Sequence, residues 1–339
     1  MRKAWIKALE YYLPEKVLDN EVISHAHPEW SIEKIAAKTG IHARHVAGED
    51  ECSSDMAVKA AELLFASGKV NRQDIDFIIL CTQSPDYFLP TTACILQDRL
   101  HLSKNIGAFD FNLGCSGFIY GLGICKGLIA TGQANNILFI TSETYSKFIH
   151  PDDKSNKTLF GDASAVALIS SDKNENEPAA EILDFTYNTD GNGSGDLTVK
   201  NGGIRNRYKK GETIQDENGF VSNDDYLFMD GSAIFSFTAF HVPQLIKDTL
   251  SKNRMMMDEI DLFIFHQANE YMLQTIRKRC RIPEEKFLIH LRNCGNTVSS
   301  TIPIALYHAL QDNKIKPGDK VLLAGFGVGF SSGGVIIQY

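Results

Sequence analysis

Two stretches of the chain, Asp76-Phe-Ile-Ile-Leu-Cys81 and Asp261-Leu-Phe-Ile-Phe-His266, carry the same short apolar run behind an aspartate, 185 residues apart. Two further matches follow in the same order. Gly114-Cys115 matches Gly295-Asn296 at 181, each ahead of a helical stretch, and Ile137-Leu138-Phe139 matches Val321-Leu322-Leu323 at 184. Ordinary likeness between α/β segments produces one such match; three in order, drifting by four residues, read as an internal duplication. The chain must then fold as two similar units that share a core.

Apolar runs predict strands at 76–82, 107–112, 137–141 and 163–170, interleaved with helical stretches, and again at 260–265, 287–291, 321–324 and 333–339. The rhythm is βαβ in both parts, which gives an α/β class with halves at 1–174 and 175–339. Early in the second half, 188–225 is rich in Gly, Asn and Asp, and is expected to be a long polar loop or flap. Its glycines, Gly191-Asn-Gly-Ser-Gly195 and Asn201-Gly-Gly203, do not suit a phosphate cradle. No strand feeds into them, no helix starts on them, and no Lys-Ser/Thr follows at the required spacing.

With 339 residues, 43% hydrophobic and 22% charged, the chain can bury a large core as one body or two fused halves. A formal net charge of −8 argues against nucleic acid as a partner, because phosphate neutralisation needs a basic face. The first residues carry Arg2, Lys3 and Lys7 and no long apolar run, so neither a signal peptide nor a membrane insertion is expected, and the location is expected to be cytoplasmic. Seven cysteines, an odd set without C-x-x-C or His-rich metal spacing, disfavour a disulfide framework and a zinc site, and no metal is expected.

Cys115 lies in Asn112-Leu-Gly-Cys-Ser-Gly-Phe118, where a predicted strand passes through small residues into the apolar helix 119–130. A thiol at a helix N-terminus is expected to be more acidic than the usual ~8.5, because the dipole and free amides favour the thiolate. The small neighbours let a substrate carbonyl approach the backbone, where amides can bind an oxyanion. A buried structural cysteine is the other reading of this residue. His266 ends a predicted strand and so faces the crevice where α/β proteins bind ligands, although an isolated histidine also suits a hydrogen-bonded core position. The duplication favours the crevice. Cys115 and Asn296 occupy equivalent strand-to-helix turns, so a two-fold architecture brings both to one cleft, with His266 arriving from a neighbouring strand. Asn296, in Cys294-Gly-Asn-Thr-Val-Ser-Ser300, also suits a cap for the helix 299–311. Finally, Gly325-Phe-Gly-Val-Gly-Phe-Ser-Ser-Gly-Gly334 predicts a tight turn with exposed amides between the last two strands.

The set of a Cys in G-C-S-G-F, a His in H-Q-A-N, an Asn in G-N-T and a closing G-F-G-x-G-F resembles the β-ketoacyl-ACP synthase III family. The resemblance runs over nearly the whole chain, including Lys38-Thr-Gly-Ile41, Phe160-Gly-Asp-Ala163 and Ile315-Lys-Pro-Gly318. It implies a five-layered αβαβα thiolase-like duplication acting as a homodimer. It also implies a ping-pong reaction without a permanently bound cofactor. Cys115 would take an acyl group from a thioester of CoA or of the phosphopantetheine of acyl carrier protein (ACP), its oxyanion resting on the amides of Cys115 and Val328. His266 and Asn296 would then hold the carbonyl of a malonyl thioester as it decarboxylates to an enolate, which attacks the acyl-cysteine to give a β-ketoacyl product.

The resemblance further implies an acyl pocket under 88–90 and the helix 91–100, with Phe88 at the dimer interface reaching into the partner's tunnel. Tyr87-Phe-Leu-Pro90 would expose two aromatics in a monomer, which a symmetric partner would cover. For docking of CoA or an acidic carrier it implies Lys38, Lys154, Arg277, Lys278, Arg279 and Arg281, the last four also reading as a solvated helix face. The chain departs from the family at Val328, a frequent glycine, and at Tyr271 and Lys154, where arginine is frequent. Lys34 stands where an adenine-stacking tryptophan aligns, with Trp30 about one turn earlier.

Three rivals compete with condensation. A plain acyl transfer to an alcohol or amine would use Cys115 but has less need of an enolate clamp. A cysteine protease shares the order Cys, His, Asn, but Cys115 lacks the C-G-x-C-W surroundings. A non-catalytic binding protein of the same fold would not need all three residues.

Overall fold

The structure, a computed structural model, describes residues 2–173, 178–217 and 219–339. The expected boundary between the halves, at 174/175, lies outside the described residues. Ten strands form one sheet: β1 (Trp5–Tyr12), β2 (Phe77–Cys81), β3 (Gly107–Phe111), β4 (Asn136–Glu143), β5 (Ala163–Ser170), β6 (Ala180–Thr189), β7 (Leu262–Phe265), β8 (Phe287–Leu288), β9 (Lys320–Gly327) and β10 (Ser331–Gln338). Across the sheet the order is β3-β2-β4-β5-β1-β6-β10-β9-β7-β8, which reads the same from either edge once the two halves are matched. In the first half β2 lies parallel to β3 and β4, and in the second β7 lies parallel to β8 and β9. The repeat extends to register, since Phe77 sits opposite Ile137 as Leu262 sits opposite Val321. The halves join where Trp5 and Ile6 of β1 pair with Glu181 and Ala180 of β6.

Alternation along the strands sorts their side chains into layers. From β2, Ile78 and Leu80 pack with Ala60 and Leu64 of α1 (Ser53–Ala66) and Leu96 of α2 (Thr92–Arg99) on one outer face. Ile79 and Cys81 point the other way, toward α3 (Gly117–Ala130). From β7, Phe263 and Phe265 pack with Val242 of α4 (Gly231–Lys252) and Leu273 of α5 (Glu270–Arg279) on the opposite outer face. Ile264 faces inward with Ile302 and Leu306 of α6 (Thr301–Gln311). Helices α3 and α6 therefore form a middle layer between the two halves, and the five-layered αβαβα arrangement follows. A helix buried on both sides must be apolar all round, as Phe118-Ile-Tyr-Gly-Leu122 is.

The structure differs from the sequence reading in several places, one of them the glycine-rich segment Gly191–Gly195, which β6 does feed and which forms a short 3-10 helix. Strands β1 and β6, which hold the centre of the sheet, were not expected: Trp5-Ile-Lys-Ala-Leu-Glu-Tyr-Tyr12 mixes charged and apolar residues and gives no apolar run. The strand expected at 287–291 stops at Leu288, because an edge position needs only two paired residues. The expected polar flap is partly ordered, with Leu197–Val199 paired to Leu227–Met229 and Ile214–Gln215 paired to Val221–Ser222.

Leu306 is fully buried in the middle layer. Its truncation removes contacts with both halves, and Leu306→Ala is expected to lower unfolding stability by about 2–5 kcal/mol in urea titration.

Candidate active site

Cys115 stands in the turn between β3 and α3, closed by a Gly117 N–H to Gly114 carbonyl bond of 2.8 Å. Gly117 is required there, since a Cβ on it would lie 2.3 Å from the Cys81 Sγ. The second half supplies the roof: a Cβ on Gly327 would lie 2.7 Å from the Cys115 Cβ, so only glycine lets the β9–β10 turn close over the thiol. A 2.7 Å contact between the hydroxyls of Ser116 and Ser331 pins that turn to the loop that carries Cys115. The backbone of Val328 then hydrogen-bonds the thiol.

His266 follows the last residue of β7, its own N–H donating to the Ala324 carbonyl at 2.8 Å. Its Nδ1 lies 2.8 Å from the Thr301 hydroxyl, and its ring meets Phe326 edge-on with centroids 5.8 Å apart. Asn296 is held by its backbone N–H to the Leu159 carbonyl at 2.9 Å, and its Oδ1 accepts from the Val298 N–H at 3.0 Å. With Oδ1 engaged, the Nδ2 hydrogens are left for a ligand. Asn296 is not the cap of α6, which begins five residues later with Ser300 at its N-cap. Cys115, His266 and Asn296 line one cavity of about 120 Å³, otherwise walled chiefly by Leu197, Met229, Ile234 and Phe326. It opens past Leu159, Met229 and Met272 into a wider cleft of about 1180 Å³ lined by Trp30, Lys38, Phe220 and Tyr271.

Burial governs the charges here. Cys115 is 6% exposed, and burial pushes its thiol up to about 12, with the Val328 backbone bond pulling the other way. Desolvation of the thiolate thus works against the acidification expected from the helix terminus. Burial likewise lowers His266 to about 3, leaving a neutral imidazole. Glu143, at the end of β4, was missed by the sequence reading. It accepts hydrogen bonds from the Ser299 hydroxyl at 2.8 Å and the Gln83 N–H at 3.0 Å, and burial pushes its carboxyl up to about 8. Thr301, which orients His266, was missed as well; its only signal was its place five residues after Asn296.

The other expected site residues are scattered. Lys38 reaches the wide cleft, its ammonium 4.9 Å from the Trp30 ring centre, with Lys34 at 5.5 Å. Trp30 itself lines that cleft. Lys154 is buried and paired with Glu29 at 2.7 Å. Arg277 bonds Glu284 at 3.3 Å, and Arg279 donates to the Ala239 carbonyl at 3.1 Å while covering Phe240. Lys278 and Arg281 are exposed. Phe88 is 67% exposed and is not part of the cavity that holds Cys115.

Layers, sheet order and the cleft at the strand ends define a thiolase-like condensing enzyme. The profile of 3-oxoacyl-ACP synthase III matches residues 109–191, and that of its C-terminal part matches residues 250–339. The chain is 35% identical over 338 residues to β-ketoacyl-ACP synthase III of Clostridium perfringens, covering all of both chains. It is 37% identical to the enzyme of that name from Clostridioides difficile, over 99% of this chain and 98% of that one. A crystal structure of a 3-oxoacyl-ACP synthase III superposes with a TM-score of 0.96 at 42% identity, over 99% of this chain and 100% of the other. The chain belongs to the β-ketoacyl-ACP synthase III family and is an acyltransferase.

With Cys115 and His266 both neutral near pH 7, no thiolate–imidazolium pair is expected. The His266 ring resonances should stay flat in an NMR titration from pH 5 to 9; a midpoint inside that window would show the pair.

Proposed function

We propose that the chain joins an acyl thioester of CoA or ACP to malonyl-ACP by decarboxylative condensation, through an acyl group carried on Cys115. The observation that carries this reading is the convergence of Cys115, His266 and Asn296 on one small, largely apolar cavity, with the Val328 backbone hydrogen-bonded to the thiol. In the first half-reaction the Cys115 sulfur attacks the thioester carbonyl, and its proton leaves on the departing thiol. The developing oxyanion is met by the backbone amides of Cys115 and Val328. In the second, His266 and Asn296 hold the malonyl thioester carbonyl. We assign the ring hydrogen of His266 to Nε2, where it can meet that carbonyl; Nδ1 lies 2.8 Å from the Thr301 hydroxyl, which itself donates to the Val298 carbonyl at 3.0 Å. The bond to the carboxylate breaks, carbon dioxide departs, and its electron pair forms the enolate. The enolate carbon attacks the acyl carbonyl, and the Cys115 thiolate leaves and regains a proton from water.

The clamp favours condensation over plain acyl transfer, since a transfer to an alcohol or amine forms no enolate for two donors to hold. Family membership removes the protease reading. A homodimer also belongs to the proposal: Tyr87, Phe88 and Leu89 form one exposed apolar run, which a second copy would bury while sending Phe88 toward the partner's acyl pocket. The exposed Lys278, Arg279 and Arg281 at the end of α5 are a candidate docking face for an acidic carrier. Among the described residues no helix is long and apolar enough to cross a membrane, and a cytoplasmic location is proposed.

Cys115 is the only cysteine that lines the catalytic cavity among the described residues. Cys115→Ser is therefore expected to remain folded and to lose the acyl adduct seen by intact-protein mass spectrometry; labelling of Cys81 or Cys294 in that variant would defeat the assignment. Asn296→Ala should slow carbon dioxide release from malonyl-ACP by roughly 10²-fold, while acyl transfer to Cys115 persists. Phe88→Ala should shift donor acceptance toward longer or branched chains in a panel of acyl-CoA thioesters. An unchanged profile, or a fully active monomer in sedimentation, would remove both the interface and the pocket assignment.

A further inference from the structure

The catalytic cavity contains two polar side chains that the mechanism above does not use: Asn269, whose Oδ1 caps α5 by accepting from the Met272 N–H at 2.8 Å, and Thr238. Thr238 on α4 lines the cavity together with Gly231 and Ile234, which share its helix face. Its side chain is fully buried, yet its hydroxyl has no hydrogen-bond partner. Threonine hydroxyls inside helices ordinarily bond back to the carbonyl four residues earlier. In this protein Thr39, Thr131, Thr249 and Thr275 do so, at 2.8, 2.9, 2.7 and 2.8 Å. Thr249 does it on α4 itself. Thr238 forgoes that bond, and a buried hydroxyl without a partner costs stability. Two other described buried hydroxyls share this state, those of Thr297 and Ser332, but neither borders the cavity.

We infer that Thr238 is a substrate-binding residue whose hydroxyl donates to the carboxylate of the malonyl unit. The inference rests on the placement of the malonyl carbonyl at His266 and Asn296. With that carbonyl engaged, the carboxylate is the remaining polar end of the unit, and the nearby walls from Leu197, Met229, Ile234 and Phe326 offer it nothing. A buried carboxylate needs a donor. One hydroxyl suits this step better than a cation would. It orients the carboxylate so that the breaking carbon–carbon bond stands out of the thioester plane and its electron pair can flow into the carbonyl. It does not hold the charge so firmly that carbon dioxide cannot leave. Thr238 thus selects an extender bearing a carboxylate and has no role toward the acyl donor.

The test compares Thr238→Val, which keeps the shape and deletes the hydroxyl, with Thr238→Ser, which keeps the hydroxyl. Two half-reactions are measured separately. Acylation of Cys115 is followed by intact-protein mass spectrometry with the acyl-CoA that labels it best, and carbon dioxide release is followed with malonyl-ACP on the acylated enzyme. Thr238→Val is expected to lower kcat/KM for malonyl-ACP about tenfold, chiefly through KM. It should leave Cys115 acylation within twofold and leave the melting temperature level or raised, because the deleted hydroxyl had no partner. Thr238→Ser should recover most of the malonyl step. An unaltered malonyl step in Thr238→Val, or an equal loss in both half-reactions, overturns the inference. Absence of any Cys115 adduct in the unsubstituted protein overturns instead the nucleophile assignment beneath it.

Discussion

The rest of the structure depends on the burial of α3 and α6 between the two halves of the sheet. Each helix is covered from both sides, by Ile79 and Phe139 from the first half and by Ile264, Leu323 and Val335 from the second. That shared core, worth about 1.5–3 kcal/mol for each fully buried large aliphatic side chain, leaves the halves no independent way to satisfy their middle layer. The site inherits this geometry. The turn leading into α3 delivers Cys115 and the approach to α6 delivers Asn296, while the carboxyl end of β7 delivers His266 to the same crevice. Neither half holds a complete set, and the roof over Cys115 belongs to β9 and β10. Replacing Gly327 by any larger residue would act on the nucleophile from the opposite half.

Dense packing sets the electrostatics too. A thiol and an imidazole shielded by apolar walls both rest in their neutral forms, so the site begins without a stored charge pair. On the proposed mechanism charge develops only as bonds change, and the donors assigned to it are already in place on the backbone of Val328 and the side chain of Asn296. Preorganised dipoles in a water-poor cavity are worth more than the same dipoles in solvent, and they require no rearrangement at the moment of reaction. Glu143 extends this behind the site, where its carboxyl joins the Gln83 turn of one half to Ser299 of the other.

Much of the site was legible in the sequence because duplication supplies its own alignment. The offsets linking Cys115 to Asn296 and Cys81 to His266 place the three candidate side chains at matching points of the repeat, with no knowledge of the fold required, although Asn296 lies eight residues beyond the end of β8. Strand β5 was read to the residue, since Ala163–Ser170 is buried throughout and carries an unbroken small and apolar run. The central strands β1 and β6 escaped notice for the opposite reason. Each alternates buried and half-exposed positions, and β6 ends in exposed polar residues, so tertiary pairing rather than composition makes them strands. The desolvation that opposes acidity at Cys115 could not be read in advance, because a helix terminus is visible in sequence, whereas the turn that shuts water away lies more than 200 residues later. Thr238 was invisible on the same grounds, for nothing in Phe237-Thr-Ala-Phe240 announces that its hydroxyl lacks a partner.

The two joined cavities differ in the way a tethered thioester requires. The wide cleft is bordered by Lys38, Lys200, Asp153 and Asp224, but Lys200 is already paired with Asp224 at 2.9 Å, and Lys154 behind it with Glu29. Such a lining can hydrate a polar arm without gripping one fixed charge. Past Met229 and Met272 the lining turns apolar, so the thioester is stripped of water only when it reaches Cys115. The net charge of −8 sets the remaining condition. If an acidic carrier docks at the proposed face of Lys278, Arg279 and Arg281, it is repelled at long range and held only within the reach of those cations, about 8 Å at physiological salt. Docking on this surface is then decided at contact and in register with the cleft, which places recognition of the carrier and entry of its arm in a single event.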